Sequence, residues 1–212
     1  MSGSTIKKMG GKDMKEYRIR KIEKDKIGIE DAVWDNAEVL KIDCTPWKEY
    51  SRDIYVKAQL LYSDENLMVK FETNEKPLLA RKTEDNGDVC CDSCVEIFFK
   101  NKENDTEYVN IETNPLGTKL IGKGSTDGLK LLDDTKEVQA FSLITPDVWN
   151  LELLIPWSYI EKHLGKISDT FYANLYKCGD ETVIEHYLCW NEIDFPKPNF
   201  HLPQFFGKLI LE

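Results

Sequence analysis

Residues 149–156 read Trp-Asn-Leu-Glu-Leu-Leu-Ile-Pro, and the apolar side chains of Leu151, Leu153 and Ile155 fall on every second position. In extended backbone neighbouring side chains point to opposite faces, so this period makes one buried face of a strand. The same pattern recurs along the chain. IYVKAQLLY (54–62) and LMVKFE (67–72) flank the turn cluster SDEN (63–66), which reads as a hairpin. VEIFF (95–99) runs through the polar loop NKENDTE into YVNIETN (108–114), a second hairpin. A PLG turn then leads into TKLIGKG, and FYANLYKCGD, HYLCW and FGKLILE supply three further runs. Helical turns are expected at DAVWDNAE and at WSYIEKHLG, which follows a strand-ending proline. Many short strands with few helices predict an all-β fold, a β-sandwich of two antiparallel sheets with short helical turns.

The length, 212 residues, suits one domain with its own core. Residues 1–16, rich in Gly, Ser and Lys, are expected to form a flexible segment, with a single domain over 17–212. The formal net charge of -10 argues against nucleic acid and against anionic membrane surfaces as partners. It suits a neutral ligand, or a cation held by carboxylates. No stretch has the apolar character of a secretory signal or a membrane span. The expectation is a soluble cytoplasmic protein with reduced cysteines.

Three of the six cysteines, Cys90, Cys91 and Cys94, crowd into VCCDSCVEIFF. A metal clip needs about four convergent ligands, and this stretch offers three thiols. Read as a strand, it sends Cys90 and Cys91 to opposite faces. A redox pair wants CxxC at a helix N-terminus, whereas this one runs into a strand. The thiols are therefore expected to act as small buried hydrophobes in a strand.

The carboxylates are more informative. If the second hairpin pairs symmetrically about Asn104, Glu96 lies opposite Glu112 and Phe98 opposite Asn110. Like charges facing each other across a ladder destabilise it unless something bridges or neutralises them. Arg81, Lys119, a bound cation or ligand hydroxyls could do so. A carboxyl pair about 5 Å apart would also suit a retaining glycosidase, so an enzyme using Glu96 and Glu112 is an alternative reading. The tail HYLCWNEIDFPKPNFHLPQFFG crowds Trp190, Phe195, Phe200, His201, Phe205 and Phe206 among three prolines. Pinned rings of this kind can stack on a ligand. Phe205 and Phe206 are expected to plug one end of the sandwich, and Phe200 and His201 to face a ligand. His186 and His201 also admit a haem-binding sandwich as a minor alternative.

IEDAVWDNAE, VKAQLLYSDENLMVKFE, CCDSCVEIFFK, YVNIETNPLGTKLIGKG, WNLELLIPWSYI and the segment from FYANLYKCGD to the end together resemble the family 9 carbohydrate-binding modules. The likeness is to their stand-alone members and runs from about Lys26 to Glu212. The resemblance implies a glycan-binding β-sandwich that holds a terminal sugar between two tryptophans and carries structural calcium. By that resemblance Glu96 matches a retained site glutamate. The first clamp tryptophan falls at Cys90, the second near Phe200, and a sugar-binding arginine at Glu112. The expected function is non-catalytic recognition of a sugar or glycan end. Glu96, Asn110, Glu112 and Asn114 would give polar contacts, Phe200 and His201 a wall, Trp190 and Lys177 would lie nearby, and Arg81 would offset the glutamates. A structural protein with a degenerate sugar site is a further alternative.

Overall fold

The computed structural model describes residues 14–212. Most of the expected N-terminal segment, residues 1–13, lies outside the described residues. The strands are β1 (Glu16–Lys21), β2 (Leu40–Lys41), β3 (Val56–Tyr62), β4 (Asn66–Thr73), β5 (Cys94–Lys100), β6 (Tyr108–Thr113) and β7 (Lys119–Ser125). They continue with β8 (Gly128–Leu131), β9 (Gln139–Ile144), β10 (Trp149–Pro156), β11 (Thr170–Cys178), β12 (Tyr187–Cys189) and β13 (Gly207–Leu211). One α-helix among the described residues, α1 (Trp157–Leu164), follows Pro156 directly. DAVWDNAE yields a 3-10 turn, Ala32–Asn36, which Asp31 caps by accepting from the Val33 amide.

One layer runs β8-β7-β6-β5-β11-β13, with β12 also on β11, and the other runs β3-β4-β10-β9, with β2 on β3. β1 joins them. Its first half, Glu16–Ile19, pairs with β13, and Arg20 and Lys21 pair with β3. Both β1 pairings are parallel, whereas the other pairings between strands are antiparallel. The sequence expectation of antiparallel layers is thus met everywhere but at β1. The strands β2, β8 and β9 lack an alternating apolar run to mark them in the sequence, and all four residues of β8 are exposed; β1 does alternate, with Tyr17 and Ile19 buried between polar residues.

The layers meet across one apolar core. Val95, Ile97, Phe99, Val109, Ile111 and Leu175 face Leu60, Val69, Phe71, Leu151, Leu153 and Ile155 across it. The side chains between these inward positions, Cys94, Glu96, Phe98, Asn110, Glu112 and Tyr176, therefore lie on the outer face of the first layer. That face is not left to solvent. The segment after β12 folds over it, and Ile193, Phe200 and Phe206 bury a second cluster with Phe98, Tyr108, Tyr176 and Trp47. A covered outer face with a gap in its cover is where a ligand site can form.

Candidate functional site

β5 and β6 pair as the loop symmetry predicts, with Glu96 opposite Glu112 and Phe98 opposite Asn110. On the other side of β5, Tyr176 lies opposite Glu96 and Cys178 opposite Cys94. Above them is a pocket of about 220 Å³ lined by Cys90, Glu96, Glu112, Cys178, Asp180, Tyr187, Pro198, Asn199, Phe200 and His201. Strand residues make its floor. The proline-bearing segment makes one wall, and the turn after β11 brings Asp180 to the rim.

The two glutamates are 2% and 5% exposed, and neither has an ion-pair partner among the described residues. Cys178 Sγ donates to Glu96 Oε1 at 2.8 Å, and Asn110 Nδ2 donates to Glu112 Oε1 at 2.9 Å. Burial, reinforced by the facing Glu112, pushes the Glu96 carboxyl well above its usual range. Burial pushes Glu112 up to about 7, even though the Asn110 hydrogen bond favours its charged form. Asp180 is raised by burial too. The raised values favour the protonated forms of Glu96 and Glu112, and a protonated carboxyl both donates and accepts. That removes the like-charge repulsion at a ladder position where two ionised glutamates would not persist.

The wall is rigid. Phe200 stacks on Tyr176 with ring centroids 4.1 Å apart and planes 9° apart. His201 accepts or donates through Nδ1 at 2.8 Å from the Tyr108 hydroxyl, and its ring sits 5.1 Å from that of Phe98. Burial lowers its pKa, so the imidazole is neutral.

Four of the residues singled out in the sequence, Glu96, Glu112, Phe200 and His201, meet in this pocket. Asn110 stands behind it as the donor to Glu112. The other four are elsewhere. Asn114 donates to Asp92 Oδ2 and to the Lys82 carbonyl. Arg81 bonds Glu181 and lies 3.8 Å from Asp92, and Lys119 lies 3.9 Å from Asp85, so neither offsets the paired glutamates. Lys177 points to the inner face, where it pairs with Glu75 at 2.7 Å. Trp190, 4% exposed, packs in the core between the layers.

The strand reading of the thiols needs a correction. Cys94 is on β5, but Cys90 and Cys91 form a 3-10 turn, Val89–Cys91, and are half-buried. Cys90 lines the pocket. Asp180, Tyr187, Asn199 and Cys178 were missed as pocket residues; the Gly-Asp turn ending FYANLYKCGD was the available signal for Asp180. The haem alternative loses its ligand pair. His186 is locked under the Ile184 carbonyl and beside Lys177, whereas His201 belongs to the pocket wall.

A family profile described as carbohydrate-binding family 9 matches residues 30–211. The chain belongs to this family. A candidate carbohydrate-binding protein from Bacteroides uniformis ATCC 8492 is 26% identical, with a TM-score of 0.83, covering 94% of this chain and 100% of that one. Two structures of a family 9 module from Caldicellulosiruptor kristjanssonii have the same fold. The glucose complex is 15% identical with a TM-score of 0.65 and covers 93% of this chain and 96% of that one. The cellotriose complex is 16% identical with a TM-score of 0.65 and covers 93% and 94%. No curated protein matches the chain. The calcium implied by resemblance finds no fit at the one converging donor group among the described residues. That group is Cys94, Glu96 and Cys178, and its two thiols do not suit an ion that takes about six to eight oxygens. No helix among the described residues is long and apolar enough to cross a membrane.

Proposed function

We propose that this protein recognises a sugar or glycan end without catalysis, in the pocket over β5, β6 and β11. The observation that carries the reading is the facing pair Glu96 and Glu112, buried and without a countercharge, at the foot of the Phe200 and His201 wall. Sugar hydroxyls both donate and accept, and so do protonated carboxyls. A ring face can rest on the pinned wall. The Caldicellulosiruptor module of the same fold is bound to glucose and to cellotriose, which supports a carbohydrate as the ligand class here.

The enzyme reading is weaker on a specific ground. A glycosidase separates its carboxyl pKa values, keeping one ionised as nucleophile or base and one protonated as acid. Here burial raises both, and no described cation holds either ionised.

Calorimetry against a panel of mono- and oligosaccharides tests the proposal. The expected result is saturable binding that weakens about tenfold or more in Glu112→Ala and in His201→Ala, given what hydrogen bonds to buried polar groups contribute. Absence of binding to every sugar by folded protein, or affinity unchanged from wild type in both variants, would sink it.

A further inference from the structure

The sequence offers Cys90, Cys91 and Cys94 as neighbours, but the fold selects a different set. β5 places Cys94 and Glu96 two residues apart on the outer face, and β11 places Cys178 opposite Cys94. The Cys94 and Cys178 sulfurs and a Glu96 oxygen all lie within 4.8 Å of one another, and all three residues are buried. All six cysteines are free thiols.

We propose that Cys94, Cys178 and Glu96 bind one thiophilic divalent cation, zinc being the best fit, at the floor of the pocket. Two sulfurs and one carboxylate oxygen form a borderline-soft donor set. Zinc takes thiolate and carboxylate together, while magnesium and calcium prefer oxygen alone. Tetrahedral zinc sets sulfur to sulfur at roughly 3.8 Å and sulfur to carboxylate oxygen at roughly 3.5 Å. The Cys178 to Glu96 contact, 2.8 Å, must open by less than about 1 Å to meet that geometry. Rotation of two side chains supplies it without moving a strand.

Access and the last coordination position come from the same place. Glu96 and Cys178 both line the pocket, so an ion can enter from it, and the position left vacant by three protein ligands opens on it. A water or a ligand hydroxyl can occupy that position. The cation replaces the two thiol protons and the Glu96 carboxyl proton, which leave to solvent, and its two positive charges offset most of the charge of the two thiolates and the carboxylate. The site stands whether or not the pocket takes a sugar, and the test does not use sugar binding.

Full-length protein stripped with a chelator is titrated with zinc against a chromophoric competitor, and separately with cobalt followed in the near ultraviolet. Expected are one equivalent per chain and a thiolate-to-cobalt charge-transfer band. Cys178→Ser and Cys94→Ser each weaken the band by about half and bind zinc roughly 100-fold or more weakly, since each removes one of the two thiolate ligands. Cys44→Ser, whose thiol lies beside Lys15 and is not among the three converging donors, keeps both. Glu96→Gln retains the two thiols and serves if a cysteine variant fails to fold; it keeps the band but binds more weakly. Folded wild-type protein that shows no band and no stoichiometric zinc overturns the proposal. So does a band that persists undiminished in Cys94→Ser and Cys178→Ser, or a Glu96→Gln variant with unchanged affinity.

Discussion

Lys177 shows what a residue's place in the sequence can and cannot reveal. It was expected to lie near the ligand, but strand alternation turns it away from the pocket. It is fully buried, 2.7 Å from Glu75, whose other contacts include Arg52 at 2.7 Å, the Ser93 hydroxyl at 3.0 Å and His186 Nε2 at 3.8 Å. Burial opposes the Glu75 charge, yet Lys177 and its neighbours hold the carboxyl below its ordinary range. Lys177→Met removes one partner and leaves Arg52. The expected loss is about 2–3 kcal/mol by urea denaturation, below the range for a wholly orphaned buried charge. Adding Glu75→Gln should recover part of it. A Lys177→Met protein as stable as wild type would mean that the pair contributes nothing net. In the sequence Gly124 is simply the end of the run TKLIGKG. Its reason is across the ladder, where Tyr108 faces it and the ring would lie 2.0 Å from an added Cβ. Tyr108 cannot retreat, because it stacks on Phe98 and holds His201. Gly124→Ala should therefore cost about 1–3 kcal/mol and displace the pocket wall, seen as a lowered melting temperature together with weaker ligand binding. Partners far away in sequence, as Glu75 is from Lys177, cannot be read from local spacing; they follow only once register and layer are known.

At the scale of elements, the register of β5 on β6 was legible because a symmetric loop leaves one natural pairing, and that pairing alone sets the two glutamates face to face. The cover over that face was not legible, since the segment after β12 has no period. It is fixed by an amide clamp. Asn174 on β11 donates to the Asn191 and Phe205 carbonyls at 2.9 and 3.3 Å and accepts from the Asn191 amide at 2.8 Å. Asn191 Nδ2 in turn donates to the Phe205 carbonyl at 2.9 Å. One side chain thus ties both ends of the segment carrying Phe200 and His201 to the floor beneath them. Asn174→Ala leaves several buried backbone groups unpaired, at a cost of about 1–3 kcal/mol. Hydrogen exchange should rise across 191–206 while β3, β4 and β10 stay protected. Uniform loss of protection would show that the clamp supports the whole sandwich rather than the wall.

For the whole molecule, the alternation that exposed the β10 pattern also implied a solvated outer face carrying Asn150, Glu152 and Leu154. The fold overrides this: Ile27, Trp34 and Ala37 pack on Leu61, Met68 and Leu154 and close that face. Glu152 is left fully buried, with no hydrogen bond to either carboxyl oxygen. Lys70 lies opposite it on β4, and its ammonium sits over the Trp34 ring at 5.7 Å. Burial raises the Glu152 pKa to about 7, against the pull of Lys70 and Lys26. The sign of the linkage follows directly. Between the ordinary value of 4.5 and about 7 the folded chain keeps a proton that the unfolded chain has lost. Stability present below pH 4.5 is therefore lost as the pH rises through about 7, by an amount on the order of 1–3 kcal/mol. Glu152→Gln keeps the shape and removes the titration. Its melting temperature relative to wild type should rise as the pH goes from 4.5 to about 7 and level off above that. Groups common to both proteins cancel in the difference. A difference that stays flat across that interval would mean that Lys70 and Lys26 already neutralise the ionised group, and that the cover of the outer face costs the fold nothing in charge.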